Sequence, residues 1–263
     1  MTGSPIALLT DFGSRDHFVG AMKGVILSIN PGATIIDITH EIPKFDIWTG
    51  GFLLYCAARY FPEGSIFVAV VDPEVGGKRK ILLLRSKDGK YFIAPDNGIL
   101  TFVLKMAGAE WIREVRNREL MLKKISPSFH GRDIMAPVAA HLSLGVKPEV
   151  VGPPLKKMRL LSVGSPVVAG RSIRGQVWHV DDFGNIITNI NENLVRKIRS
   201  KSLSVRLPAG ELRAKIGRTF SDVAKGDIVA YIGSSGLLEV AKNMGNLASE
   251  ARVKTGQQII IRW

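Results

Sequence analysis

The chain of 263 residues carries a single cysteine, Cys56. That excludes an intramolecular disulfide framework and any Cys-rich zinc or iron–sulfur site, and Cys56 itself reads as a small buried side chain on a helix. No apolar run approaches the ~20 residues needed to cross a bilayer. The N-terminal stretch has no basic region and loses its apolar character at Asp11, so neither a membrane span nor a secretory leader is expected and the protein is expected to be cytoplasmic. There is no G-x-x-x-x-G-K-[ST] and no well-placed G-x-G-x-x-G, which excludes the usual nucleotide-phosphate cradles. H-E-x-x-H and G-x-S-x-G are absent as well, and with them the commonest zinc-protease and serine-hydrolase plans. Acidic residues are scarce: 23 Asp and Glu face 36 Lys and Arg, leaving +13.

Such an excess permits binding to a polyanion by counterion release. The basic residues are nevertheless spread out, with local clusters only at Lys123-Lys124, Lys156–Arg159 and Arg196–Lys201. None is interleaved with aromatic residues as a single-strand binder requires. The excess is therefore read as solvated surface, and nucleic acid is not an expected partner. A nucleic-acid-binding module built on the basic C-terminal half stands as the alternative from a different functional class.

What is present is a change of texture part-way along. In the first half strand-like and helix-like segments alternate: strands at 6–10, 34–38, 66–71, 81–84 and 91–94, helices at 16–29, 46–60, 97–107 and 132–144. This order argues for an α/β domain with a mostly parallel sheet flanked by helices. Ile66–Val71 is apolar throughout, as a strand covered on both faces should be. Residues 155–170 read as a connection. From about Gly175 short strands separated by Gly, Asn and Asp turns predominate, which points to a small β-barrel or sandwich. The expected domains are 1–163 and 164–263.

In a doubly wound sheet ligands bind beyond the carboxyl ends of the strands. That rule selects Asp11, the Thr39–Glu41 turn, Asp72 and Asp96 before any family is considered. Each alone is an ordinary turn former; the set is harder to dismiss. His130 precedes a helix, His17 and His179 read as packing or surface residues, and His141 lies on an apolar helix face. Asp11, His40, Asp72 and His130 would suit zinc or manganese by ligand type, yet they lack diagnostic spacing, and no metal is expected. In the second half the Asp181–Asn185 turn offers an aromatic plane and polar groups to a flat ligand. The small-residue turn Ile232–Gly236 offers backbone N–H groups to a carboxylate.

Seven landmarks occur in order: Leu8–Gly13 with Asp16, Asp37–His40, Phe61–Gly64, Val70–Pro73, Ala94–Gly98, Phe129–Arg132 and Phe183–Asn189. Together they resemble the S-adenosylmethionine hydrolase family, also called hydroxide adenosyltransferases, which is related to fluorinase and chlorinase. The resemblance implies an N-terminal α/β domain, a C-terminal β domain and a homotrimer. Substrate would lie at subunit interfaces, between one chain's N-terminal domain and a neighbour's C-terminal domain. It implies hydrolysis of S-adenosylmethionine to adenosine and methionine by SN2 attack of water at C5′, with no cofactor. By that likeness Asp72, Arg79 and His130 form the catalytic set. Asp11, with Asp16 nearby, takes the ribose; Phe45 lies against the sugar or sulfonium. Phe183 and Asn185 hold the adenine, Asp181, Ser234 and Ser235 surround the methionine portion, and Lys242 and Met244 meet the adenine. Glu74 departs from the pattern, standing where glycine is usual and so bearing on the backbone behind Asp72.

The chemistry asked of such a site is modest. A sulfonium is already a good leaving group, so neither an acid nor a metal is demanded. Water is a poor nucleophile and has to be held in line with the C5′–S bond in a dry pocket. Arg79 is expected to stabilise developing hydroxide, and either Asp72 or His130 could accept the proton. A carboxylate at Asp72 would repel halide, which ranks halide-dependent adenosyl transfer on the same scaffold below hydrolysis.

Overall fold

The most apolar run in the sequence, Ile66–Val70, forms an interior strand of a six-stranded sheet in a computed structural model that describes residues 3–263. The strands are β1 (Ile6–Thr10), β2 (Ile35–Thr39), β3 (Ile66–Val70), β4 (Ile81–Ser86), β5 (Tyr91–Pro95) and β6 (Ala109–Glu114), in the order β2-β1-β3-β5-β4-β6. The pairings β1–β2, β1–β3 and β3–β5 are parallel, while β4 runs antiparallel to both β5 and β6. Every residue of β1 and β3 is buried, because helices cover both faces of the sheet. Alternate residues serve opposite cores, as the pleat requires. Ile6, Leu8, Ile66, Val68 and Val70 pack with α1 (Phe18–Ile29) and α4 (Ala136–Ser143). Ala7, Leu9, Phe67 and Ala69 pack with α2 (Ile47–Ala58) and α3 (Thr101–Met106).

Two local signals set the helix ends. Asp46 caps α2, its carboxylate accepting from the Thr49 backbone N–H (2.9 Å) and hydroxyl (2.6 Å). The expected 132–144 helix opens instead with a π-helical turn at Gly131–Met135 before α4 begins. The expected 97–107 helix shortens to Thr101–Met106, since the 97–98 turn is held by Asn97, whose side chain bonds the Val71 carbonyl (2.8 Å) and the Ile99 N–H (3.2 Å).

The chain divides into two compact units, Met1–Leu161 and Ser162–Trp263. The second contains β7 (Val167–Ala169), β8 (Ser172–Val180), β9 (Ile186–Asn191), β10 (Ser202–Leu207), β11 (Gly210–Ile216), β12 (Ile228–Ile232), β13 (Leu237–Lys242) and β14 (Gln258–Arg262), with short helices α5 (Glu192–Val195) and α6 (Leu247–Glu250). β14 pairs with β10 on one side and β8 on the other, so seven strands close into a barrel and β7 adds a hairpin arm to β8. Closure leaves no unpaired edge around the ring. The fold is therefore α/β with a C-terminal β-barrel, as the change of texture along the sequence implies. Two strands were not expected: β6, whose Ala109–Glu114 sequence mixes polar and apolar residues, and β7, an exposed three-residue segment inside the supposed connection. No helix among the described residues is long and apolar enough to cross a membrane.

Candidate active site

Parallel β1, β2 and β3 bring their carboxyl ends to one edge of the sheet, and the turns that follow them carry the acidic residues. Asp11 is buried just beyond β1, and its Oδ2 accepts the Phe45 backbone N–H at 2.9 Å. Lys44 donates through Nζ to the Asp11 backbone carbonyl. This double tie holds the 44–45 turn against the 11–13 turn and keeps Phe45 at φ 66, a conformation bulky residues seldom adopt. The Phe45 ring is left 67% exposed. Asp11, Asp16, Lys44, Phe45, Asp72 and His130 line a cavity of about 280 Å³ in the N-terminal unit. An aromatic wall completes it: Phe12, Phe18 and Phe129 meet pairwise with ring centroids 5.3 to 5.8 Å apart.

Arg79 reaches this edge because β4 runs the opposite way. Ile81, at the start of β4, pairs with Pro95 at the end of β5, so the residues preceding β4 lie where the parallel strands finish. The Arg79 guanidinium donates from Nε to Asp72 Oδ2 (2.8 Å) and Oδ1 (3.1 Å), and from Nη2 to Asp72 Oδ2. Nη2 also donates to His130 Nδ1 at 2.9 Å. The side chains of Arg79 and Asp72 are only 2% and 4% exposed. Asp72 and His130 line the cavity, whereas Arg79 stands behind them. A guanidinium has no acceptor, so the His130 Nδ1 facing it must present its lone pair. A neutral His130 then carries its hydrogen on Nε2. Burial, and next the Arg79 charge, push the imidazole below its ordinary range, which favours the neutral ring.

The loop carrying His130 is fastened from behind. Asp133, fully buried, accepts the Ser126 N–H at 2.7 Å through Oδ2 and the Arg132 Nε at 2.6 Å through Oδ1. Arg132 in turn covers the Phe129 ring at 4.8 Å. The 72–77 turn meets this loop closely: a Cβ at Gly76, whose φ is 79, would stand 2.3 Å from the Pro127 carbonyl oxygen. Only glycine serves there. Glu74, by contrast, is not among the described residues with positive φ, and its carboxylate pairs with Arg159 at 2.7 Å. The departure from the glycine pattern thus brings no left-handed residue behind Asp72.

In the barrel unit the selected residues lie along one strand pair. Asp181 organises the β8–β9 turn, Oδ1 accepting the N–H groups of Phe183 (3.0 Å) and Asn185 (2.8 Å) and Oδ2 the Asn185 amide (2.8 Å). Phe183 and Met244 project into solvent, and Lys242 is held by the Glu250 carboxylate (2.6 and 2.8 Å). Ser234 and Ser235 sit in the β12–β13 turn. Val240 pairs with Ile186 but Leu237 with Asn191, so the two turns lie towards opposite ends of β9–β13. Beneath the 233–236 turn Glu239 accepts the Tyr231 hydroxyl (2.8 Å), and its Oε1 occupies the place of a Gly233 Cβ. Burial first, with Asp181 adding its charge, raises the Glu239 carboxyl above the usual range.

Models of the SAM hydroxide adenosyltransferase N-terminal and C-terminal domains match residues 6–152 and 175–260. The chain belongs to the SAM hydroxide adenosyltransferase family. It is 36% identical over 254 residues to a Methanocaldococcus jannaschii protein named (R)-S-adenosyl-L-methionine hydrolase, covering 92% of this chain and 89% of that one. A Thermus thermophilus protein of the same name is 33% identical over 270 residues, covering 97% and 98%. The crystal structure of an uncharacterized conserved protein from Thermotoga maritima superposes with a TM-score of 0.94 at 42% identity, covering 98% of this chain and 100% of that one.

For this family member the candidate positions of the α/β unit part ways in the structure. Asp11, Asp16, Phe45, Asp72 and His130 line the cavity, and Arg79 joins the last two from behind. His40 does not join them; its Nδ1 lies 2.9 Å from the Thr10 hydroxyl. Asp96 accepts the Arg159 backbone N–H (2.7 Å) and is absent from the lining. No three His, Cys, Asp or Glu side chains converge as metal ligands among the described residues. Lys44, the aromatic wall and Asp133 escaped sequence reasoning. The Phe129–Arg132 landmark stops one residue short of the last.

The His130 geometry makes a titration prediction. Its ring resonances should titrate below the ordinary histidine value of about 6.5. Arg79→Met should move that midpoint upward, since the guanidinium charge opposes protonation; a downward or absent shift would contradict the arrangement.

Proposed function

We propose that this family member hydrolyses S-adenosylmethionine, water attacking C5′ in line with the sulfonium to give adenosine and methionine. The observation that carries the reading is the Asp72–Arg79–His130 network set in the wall of a cavity whose other charged lining includes Asp11 and Asp16. In this reading the two remote acids take the ribose hydroxyls, and the aromatic wall excludes bulk water from the sulfur. The C5′–S bonding pair leaves on sulfur as methionine's thioether. The cationic centre is thereby discharged, and one proton from water remains to be placed.

That proton goes to Asp72. His130 cannot take it through Nδ1, which faces Arg79, and Nε2 already carries a hydrogen. His130 therefore donates from Nε2 and orients the water oxygen, while Asp72 Oδ1, bonded to Arg79 by the longer 3.1 Å contact, is the freer acceptor. Arg79 holds both partners and does not itself touch the water. Its charge balances that of the buried Asp72 carboxylate, and Asp72 in turn disfavours halide. The sulfonium is its own activated leaving group, so the reaction draws on no metal or redox cofactor.

In the barrel, Phe183 and Asn185 would hold the adenine and Asp181, Ser234 and Ser235 the methionine portion, contributed in this reading by a neighbouring copy in a cytoplasmic homotrimer. Sedimentation equilibrium should then return three times the chain mass of 28.7 kDa, and a monomer active at the same concentration would exclude it. The chemistry is tested by chromatography of protein with S-adenosylmethionine in halide-free, chelator-treated buffer. Adenosine and methionine should appear in equal amounts, and Asp72→Asn should slow their release by roughly 10²–10⁴-fold. Unchanged turnover in that variant would refute Asp72 as the proton acceptor.

A further inference from the structure

A site built for a cation would be expected to carry acids alone, yet one lysine stands in its wall. The charged side chains lining the cavity are Asp11, Asp16, Asp72 and Lys44. Asp72 is already matched by Arg79, which leaves two carboxylates and one ammonium to set the local field. Lys44 lies across the turn after β1: its Nζ bonds the Asp11 carbonyl and would stand 3.6 Å from a Cβ at Gly13. It enters no ion pair among the described residues; the Glu41 carboxylate, whose oxygens would stand 3.9 Å from the same Gly13 Cβ, is its neighbour there but does not line the cavity. The neighbouring Phe45 backbone is tied to the Asp11 side chain, which fixes the lysine's turn close to the acid it offsets.

We propose that Lys44 is a specificity-determining residue that tempers the hold of Asp11 and Asp16 on the positive sulfur of the substrate. This rests on the hydrolase reading above. Positive charge on sulfur is present in the bound substrate and vanishes as the C5′–S bond breaks. A strongly negative pocket therefore stabilises the ground state more than the transition state, lowering KM and kcat together without gain in rate. With Lys44 in place the free lining charge falls from two negative to one, equal and opposite to the sulfonium. The methionine part is a zwitterion and adenosine is neutral, so neither product is held by this field. Lys44 thereby sets the balance between capturing a cationic nucleoside and turning it over.

The test separates charge from mere bracing of the turn. Lys44→Met and Lys44→Arg are compared with the parent for hydrolysis of S-adenosylmethionine. In the Asp72→Asn background, they are compared for binding of S-adenosylmethionine and of S-adenosylhomocysteine, its uncharged thioether counterpart. Lys44→Met should lower both KM and kcat roughly threefold, a size fitting a solvent-screened charge. It should also raise the preference for the sulfonium over the thioether by a similar factor, and Lys44→Arg should restore parental values. Equal changes for both ligands would mean a structural brace and overturn the proposal, as would no change for either. If the parent protein releases no adenosine at all, it is the hydrolase reading that fails.

Discussion

A guanidinium buried between a carboxylate and an imidazole is the interaction on which the site rests. Asp72 and His130 stand in an aromatic-walled cavity where an unpaired carboxylate would be costly to desolvate. Arg79 removes that cost with three hydrogen bonds to Asp72 and, with the same Nη2, fixes which His130 nitrogen is bare. The strand order makes this possible. A parallel β4 would have carried its leading residues to the far edge of the sheet; an antiparallel one returns Arg79 to the carboxyl ends where Asp72 already stands.

Consequences spread outward from that choice. Because the Asp72–Arg79 pair is internally neutral, the remaining charges of the cavity lining are those of Asp11, Asp16 and Lys44. Because His130 is held through Nδ1, its loop has to be rigid, and the buried Asp133 and the close approach at Gly76 supply that rigidity. The barrel handles a separate task. Asp181 organises one of its turns, and Glu239, bonded to Tyr231, packs against Gly233 at the start of another.

Much of this was legible in the sequence, for identifiable reasons. Asp11 and Asp72 could be found because parallel strands must finish on one edge, and residues just past them share that edge. The two cores along β1 and β3 follow from uninterrupted apolar runs. Arg79 was reachable only through family likeness, since nothing in residues 72–81 announces that the next strand reverses. Lys44 was hidden because only a fold-back onto a residue 33 positions earlier brings it into the cavity lining. β6 and β7 were missed because one mixes polar with apolar residues and the other is three residues long and exposed. His40 shows the opposite error: it sits at a strand end, as the rule asks, yet turns to Thr10.

The central claim is that His130 meets the cavity with a hydrogen on Nε2 because Arg79 occupies Nδ1. Long-range ¹H–¹⁵N correlation of the imidazole at pH 7.5 reads the tautomer directly. The account predicts a protonated Nε2 and a bare Nδ1 in the resting protein. A hydrogen on Nδ1 would contradict it, release His130 to act as the base, and leave Arg79 without the role assigned to it.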